Sequence, residues 1–252
     1  MKKTLVFLLL LSPLFGWTQT KVIAHRGYWQ TDGSAQNSVA SLLKADSIGC
    51  FGSEFDVYLT ADNGLVVHHD SSREGVSMIT DSISKITSLK LKNGENVPTL
   101  QQYFDAAKEL KNGTRLVLEI KPLGDTMRDR QAATVILKLL KEYGLLEQTD
   151  IISFSKAACL AVIEQRPETR VFYLNGDLYP FELKELGFAG LDYEEGVLYA
   201  HPGWIRECHL LGMEANVWTV NKEEDMRHFI EKGADYITTN EPVLLQQIIF
   251  GK

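Results

Sequence analysis

Four short segments hold most of the side chains that could do chemistry. His25-Arg26-Gly27 sets an imidazole beside a guanidinium, and Glu54 and Asp56 are carboxylates at i and i+2. His68-His69-Asp70 adds further imidazoles, and Glu119 and Lys121 form a second i, i+2 pair. Side chains at i and i+2 of a strand share one face. Glu54, Asp56 and Glu119 are hard oxygen donors, suited to one divalent cation, Mg²⁺ or Ca²⁺, and poor at selecting zinc or copper. Histidine titrates near neutrality, so His25 and His69 are candidate proton donors and acceptors. Arg26 can hold a phosphate bidentately and Lys121 as a point charge. A metal, two acid–base groups and two cations suit attack on a phosphodiester. The cations offset charge on the phosphoryl oxygens, one imidazole activates the nucleophile and the other protonates the leaving alkoxide.

These residues need elements that bring them together. Short apolar or β-branched runs alternate with amphipathic stretches from residue 21 onward. The strand candidates are 21–24, 52–57, 65–68, 115–120, 150–154, 170–174, 190–193, 215–220 and 235–239. Asp62-Asn63-Gly64 is a hairpin signal in which both central positions tolerate positive φ. The run at 65–68 is therefore expected to return antiparallel against the end of the 52–60 segment. Eight parallel strands remain, each followed by a helical pattern, and Asn221 with Glu224 reads as a helix N-cap and its partner. Eight β–α units predict an α/β fold, a single (β/α)8 TIM barrel with a β-hairpin-containing insertion after strand 2; such barrels run to ~250 residues. The insertion, 58–98, is expected over the C-terminal face, where the active sites of this architecture lie. All the segments above fall at strand ends, as do Asp192 and Tyr193, Trp218 and Asn221, and Thr239-Asn240. Carboxylates inside a barrel are costly unless paired or metal-bound, so their convergence points to a site. Tyr28, Trp29, Tyr193 and Trp218 could wall its mouth, with Trp218 the candidate substrate contact.

Composition narrows the partners. The 252 residues are 44% hydrophobic and 23% charged, which is ordinary for a globular chain and excludes disorder. A net charge of −7 argues against nucleic acid as a partner. Lys2 and Lys3 followed by the apolar run 5–15 read as a signal peptide over 1–19, leaving a single domain at 20–252. The run is too short to span a bilayer, so no stable membrane anchor is expected after cleavage, and the protein should be exported to a periplasmic or extracellular location. Cys50, Cys159 and Cys208 form neither a disulfide framework nor a zinc motif.

The ordered motifs resemble the glycerophosphodiester phosphodiesterases. The resemblance rests on Ala24-His25-Arg26-Gly27, Gly52-x-Glu54-x-Asp56-Val57 with Thr60-x-Asp62-x-Gly64, and Leu65-Val66-Val67-x-His69-Asp70. Leu118-Glu119-Ile120-Lys121, Trp218-Thr219-Val220-Asn221 and Thr238-Thr239-Asn240-x-Pro242 continue it in order. It implies a barrel hydrolase acting on a small-molecule glycerophosphodiester and releasing an alcohol and glycerol 3-phosphate. The residues matching His25 and His69 would be acid and base, those matching Glu54, Asp56 and Glu119 would bind metal, and that matching Arg26 would contact phosphate. Two positions depart from the pattern. Gln36-Asn37-Ser38 stands where Glu-Asn-Thr is usual, and Asn240 where Asp is more frequent. Three alternatives accompany this expectation: a phosphodiesterase for another small or lipid-derived diester, a glycoside hydrolase using a carboxyl pair, and a non-catalytic exported binding protein.

Overall fold

The computed structural model describes residues 19–251, so the expected signal peptide, apart from Gln19, lies outside the described residues. The strands are β1 (Lys21–Ala24), β2 (Gly52–Leu59), β3 (Leu65–Val67), β4 (Ser72–Arg73), β5 (Val76–Ser77) and β6 (Arg115–Ile120). They continue with β7 (Thr149–Ser153), β8 (Val171–Tyr173), β9 (Gly190–Glu194), β10 (Glu214–Trp218) and β11 (Tyr236–Thr239). β2, β6, β7, β8, β9, β10, β11 and β1 pair in that order, all parallel, and β1 closes the ring by pairing with both β11 and β2. The TIM barrel expected from the alternation is therefore present.

Alternation along the strands sorts their side chains. On β2, Phe55 and Val57 face the helices, in a large core that includes Leu42, Phe104, Leu118 and Ile136. Glu54 and Asp56 consequently face the barrel axis, as do Val117 and Glu119 of β6. Ile23, Val117, Ile152, Phe172, Leu174 and Tyr236 pack the interior below them. Polar side chains in the connections cap several of the helices that follow the strands. Ser38 accepts from the Ser41 amide to start α1 (Val39–Ser47), and Asp125 accepts from Met127 and Arg128 to start the long Thr126–Tyr143 helix. Such caps contribute roughly 1 kcal/mol each.

Three local expectations differ from the structure. The β2–β3 return is antiparallel as expected, pairing Leu59 with Leu65, but residues 60–64 form a longer loop than a two-residue turn. Only Asn63 takes positive φ (62°); a Cβ on Gly64 would meet the Ile83 side chain at 2.5 Å, so close approach explains this glycine. Asn221 is not an N-cap: Lys222 precedes the helix Glu223–Glu231, and the Asn221 side chain turns to β11 instead. A six-residue helix, Glu195–Ala200, follows β9 directly and buries one side chain, Leu198, too few for the sequence to show a period. After β3, the ribbon β4–β5 and the short helix Ile83–Ile86 close a small core of Tyr58, Val66, Met78, Ile86, Leu91 and Val97. That core fixes His68, His69 and Asp70 beside the barrel mouth.

Candidate active site

His25, Arg26, Glu54, His69, Glu119, Lys121 and Trp218 all line one cavity of about 280 Å³ inside the mouth. Asp56 stands behind them, 1% exposed, and oxygens of Glu54, Asp56 and Glu119 lie within 4.8 Å of one another. The two imidazoles, the three acids, Arg26, Lys121 and Trp218 are thus brought together.

Fixed donors hold the three acids in place. The Arg26 amide donates to Glu54 Oε2 at 2.7 Å, from a backbone held at φ 57°. Asn37 grips Asp56 twice, its Nδ2 donating to Oδ2 at 2.8 Å while its Oδ1 accepts from the Asp56 amide at 3.0 Å. Lys121 Nζ lies 3.3 Å from Asp56 and 2.8 Å from Glu119. Burial alone would push the Asp56 carboxyl up, but the Lys121 and His69 charges and the Asn37 bond outweigh it and hold it at about 2. Glu119 is pushed up to about 8 by burial and then by the Asp56 charge, and Glu54 is raised well above the carboxylate range for the same two reasons. Lys121 reaches Asp56 and Glu119 and Arg26 Nε lies 3.8 Å from Asp56, so the two fixed cations converge on Asp56 and leave Glu54 and Glu119 short of positive charge. That imbalance and the all-oxygen donor set fit a divalent cation such as Mg²⁺ or Ca²⁺.

The two imidazoles are oriented from behind. His25 Nδ1 lies 2.9 Å from Asn240 Oδ1, the same atom that accepts from the Trp29 indole N–H at 3.2 Å. The indole only donates, so the Asn240 atom is the carbonyl oxygen and His25 must carry its proton on Nδ1. Nε2 is then a bare acceptor, 4.0 Å from Glu54 Oε2. Burial and the Arg26 charge lower the His25 pKa to about 4, which keeps it neutral. His69 Nδ1 lies 2.7 Å from Asp70 Oδ1, a carboxylate acceptor, so its Nε2 is free for the cavity.

Several contributors were not assigned from sequence. Asn37 and Asn240 act on partners distant along the chain, and Asn221 Oδ1 in turn accepts from the Asn240 amide at 2.8 Å. Gln36 Oε1 accepts from Arg26 Nη1 at 2.9 Å, a role that needs an oxygen and no charge. Tyr193 is not part of the mouth: it points outward, fully buried, and donates to the Leu178 carbonyl. Trp218 does wall the cavity, edge-on to Phe154, with its indole donating to the Asp192 carbonyl at 2.9 Å.

Asp192 lies on the cavity floor, 2% exposed, with Oδ1 lacking a hydrogen-bond partner. Burial pushes its carboxyl up to about 7. A carboxyl raised in the folded state costs stability as pH climbs from its unfolded value toward the folded one, by about 4 kcal/mol at most once both are passed. Asp192→Asn is therefore expected to raise Tm by several degrees at pH 8, and the gain should fade near pH 4. Melting curves in excess Mg²⁺ check this; a gain independent of pH would refute the burial account.

Comparison with known proteins adds to this geometry. The sequence profile of the glycerophosphoryl diester phosphodiesterase family matches residues 25–244. A glycerophosphodiester phosphodiesterase of Caldanaerobacter subterraneus subsp. tengcongensis is 27% identical over 248 residues, which cover 92% of this chain and 98% of that one. The crystal structure of a glycerophosphodiester phosphodiesterase from Parabacteroides distasonis is similar with a TM-score of 0.92 and 49% identity, covering 94% of this chain and 99% of the other. A phosphodiesterase from Oleispira antarctica, solved with the product sn-glycerol-3-phosphate, shares the fold with a TM-score of 0.78 and 21% identity, over 92% and 97% of the two chains.

Proposed function

The chain belongs to the glycerophosphoryl diester phosphodiesterase family, and on that premise we propose that it hydrolyses glycerophosphodiesters to an alcohol and glycerol 3-phosphate, with a divalent metal and with His25 and His69 as the acid–base pair. The observation that carries this reading is the meeting of both imidazoles, Arg26, Lys121, Glu54 and Glu119 in one cavity, with Asp56 directly behind its wall. A cation held by Glu54, Asp56 and Glu119 would offset charge on the phosphoryl oxygens. Arg26, with Nη1 tied to Gln36, is poised to hold a phosphoryl oxygen, and Trp218 presents an apolar face to the glycerol carbons. Neutral His25 takes the proton of the attacking hydroxyl at Nε2 as the new P–O bond forms. His69 delivers a proton from Nε2 to the departing alkoxide as the old P–O bond breaks. Apo distances such as the 4.0 Å between His25 and Glu54 are compatible with this, because catalytic contacts tighten on substrate binding.

The test is ³¹P NMR of glycerophosphoethanolamine incubated with the protein and Mg²⁺ or Ca²⁺. Glycerol 3-phosphate is the expected product, and a transient cyclic phosphate would identify the glycerol 2-hydroxyl, instead of water, as the nucleophile. Release of phosphoethanolamine, or no turnover of any glycerophosphodiester with either metal, would overturn the reading. Export to a periplasmic or extracellular location is likewise proposed, supported by the basic start and apolar run at 1–19.

A further inference from the structure

A second cavity, about 350 Å³, opens between the β1–α1 loop and the insertion. It shares His69 with the first cavity. A phosphodiester has two arms. With the phosphate beside His69 and one arm under Trp218, the other arm has this second cavity as its continuation. Its lining differs in character from the first. Arg73 and Lys92 bring two cations, and Arg73 Nε is buried without a hydrogen-bond partner, 3.8 Å from Glu74. Gln36 also lines it; the Oε1 of this amide is occupied by Arg26 Nη1, which leaves Nε2 as a donor. The one acid in the lining, Asp70, is already engaged by His69 Nδ1. Donors and cations thus outnumber free acceptors on a protein whose net charge is −7.

Resting on the function proposed above, we infer that this cavity receives the leaving-group arm and selects an arm bearing anionic oxygen, such as a second phosphate, over a quaternary ammonium. A phosphate there would accept from Arg73 and Gln36 and face Lys92, in charge-assisted hydrogen bonds. A trimethylammonium would find the Trp29 ring and the Asp70 carboxylate, already paired with His69, set against two cations.

The experiment compares kcat/KM at low ionic strength and saturating Mg²⁺ for bis(glycerophospho)glycerol, glycerophosphoglycerol and glycerophosphocholine, whose leaving arms are anionic, neutral and cationic. The expected order follows that sequence. The first should exceed the last by about tenfold after the factor of two for its equivalent bonds, with the difference in KM and shrinking in high salt. In Arg73→Gln/Lys92→Gln the ratio should fall toward one. The single Lys92→Gln variant, at an exposed position, should move it part of the way without risk to folding. Equal kcat/KM for all three, a preference for the cationic arm, or a ratio unchanged in both variants would overturn this inference while leaving the hydrolase reading intact. Failure to cleave any of the three would overturn both.

Discussion

Replacing His25 or His69 by alanine is expected to lower kcat by roughly 10²–10⁴-fold, the range associated with loss of a positioned acid or base. Metal affinity and Tm should change little, because neither imidazole is needed to hold the three acids together. The double variant should fall little further than the worse single one, since in the proposed mechanism both groups serve one proton-transfer sequence. The pH profile separates their roles. His25 must be neutral to accept a proton, and its pKa is lowered to about 4 by burial and then by Arg26. With the metal site kept saturated, activity should therefore persist below pH 6 instead of failing there. Asn240→Asp would place a carboxylate 2.9 Å behind Nδ1 and favour the protonated ring, so the acidic limb should move to higher pH. Near-normal kcat in both alanine variants, or an unmoved limb in Asn240→Asp, would sink the assignment.

Chelation is expected to remove activity by at least about 10³-fold, because several kcal/mol of charge stabilisation at the phosphoryl group is lost with the ion. Stability should respond as well, in a direction that can be derived. Glu119 is pushed up to about 8 and Glu54 is also raised, so without metal the fold loses stability as pH climbs from the ordinary carboxylate range toward those values. A bound cation reverses this cost and displaces the protons. The rise in Tm on adding Mg²⁺ or Ca²⁺ should therefore be larger at pH 8.5 than at pH 6. It should reach several degrees once the ion exceeds its dissociation constant about a hundredfold. Glu54→Gln and Glu119→Gln provide the complementary result: activity lost, but metal-free Tm at pH 8.5 equal to or above that of the parent. Full activity in EDTA, or metal stabilisation unchanged in these variants, would refute the assignment of the triad.

What could be read beforehand, and what could not, divides along the range of the interactions. Alternation within a strand is local, so i, i+2 spacing places Glu54 with Asp56 and Glu119 with Lys121 on shared faces, and the barrel count turns those faces inward. The eight-strand count depended on reading the 65–68 run as a return, which the Asn63-Gly64 loop made possible even though its geometry differs from a tight turn. Asn37 is not legible as a site residue because it sits in the loop before α1 while its partner, Asp56, lies 19 residues on in β2. The Trp29–Asn240–His25 contact joins the two ends of the chain, so no window of sequence contains it. Gln36 stands where Glu is usual, and in three dimensions it retains the oxygen that Arg26 uses.

The place where the ring closes has a consequence for how the protein comes to be active. β1 is the first strand made, and both its neighbours arrive later, β11 last of all. His25 leaves the end of β1, and the Asn240 oxygen that sets its tautomer comes from the residue after β11, 215 positions away. Contacts of such long sequence separation form late and slowly. A nascent or truncated chain could thus pair β2 with β6 and gather all three acids while its base remained unoriented. Hydrolytic competence would appear only when the final strand docks, which makes the onset of activity during refolding a direct clock for barrel closure.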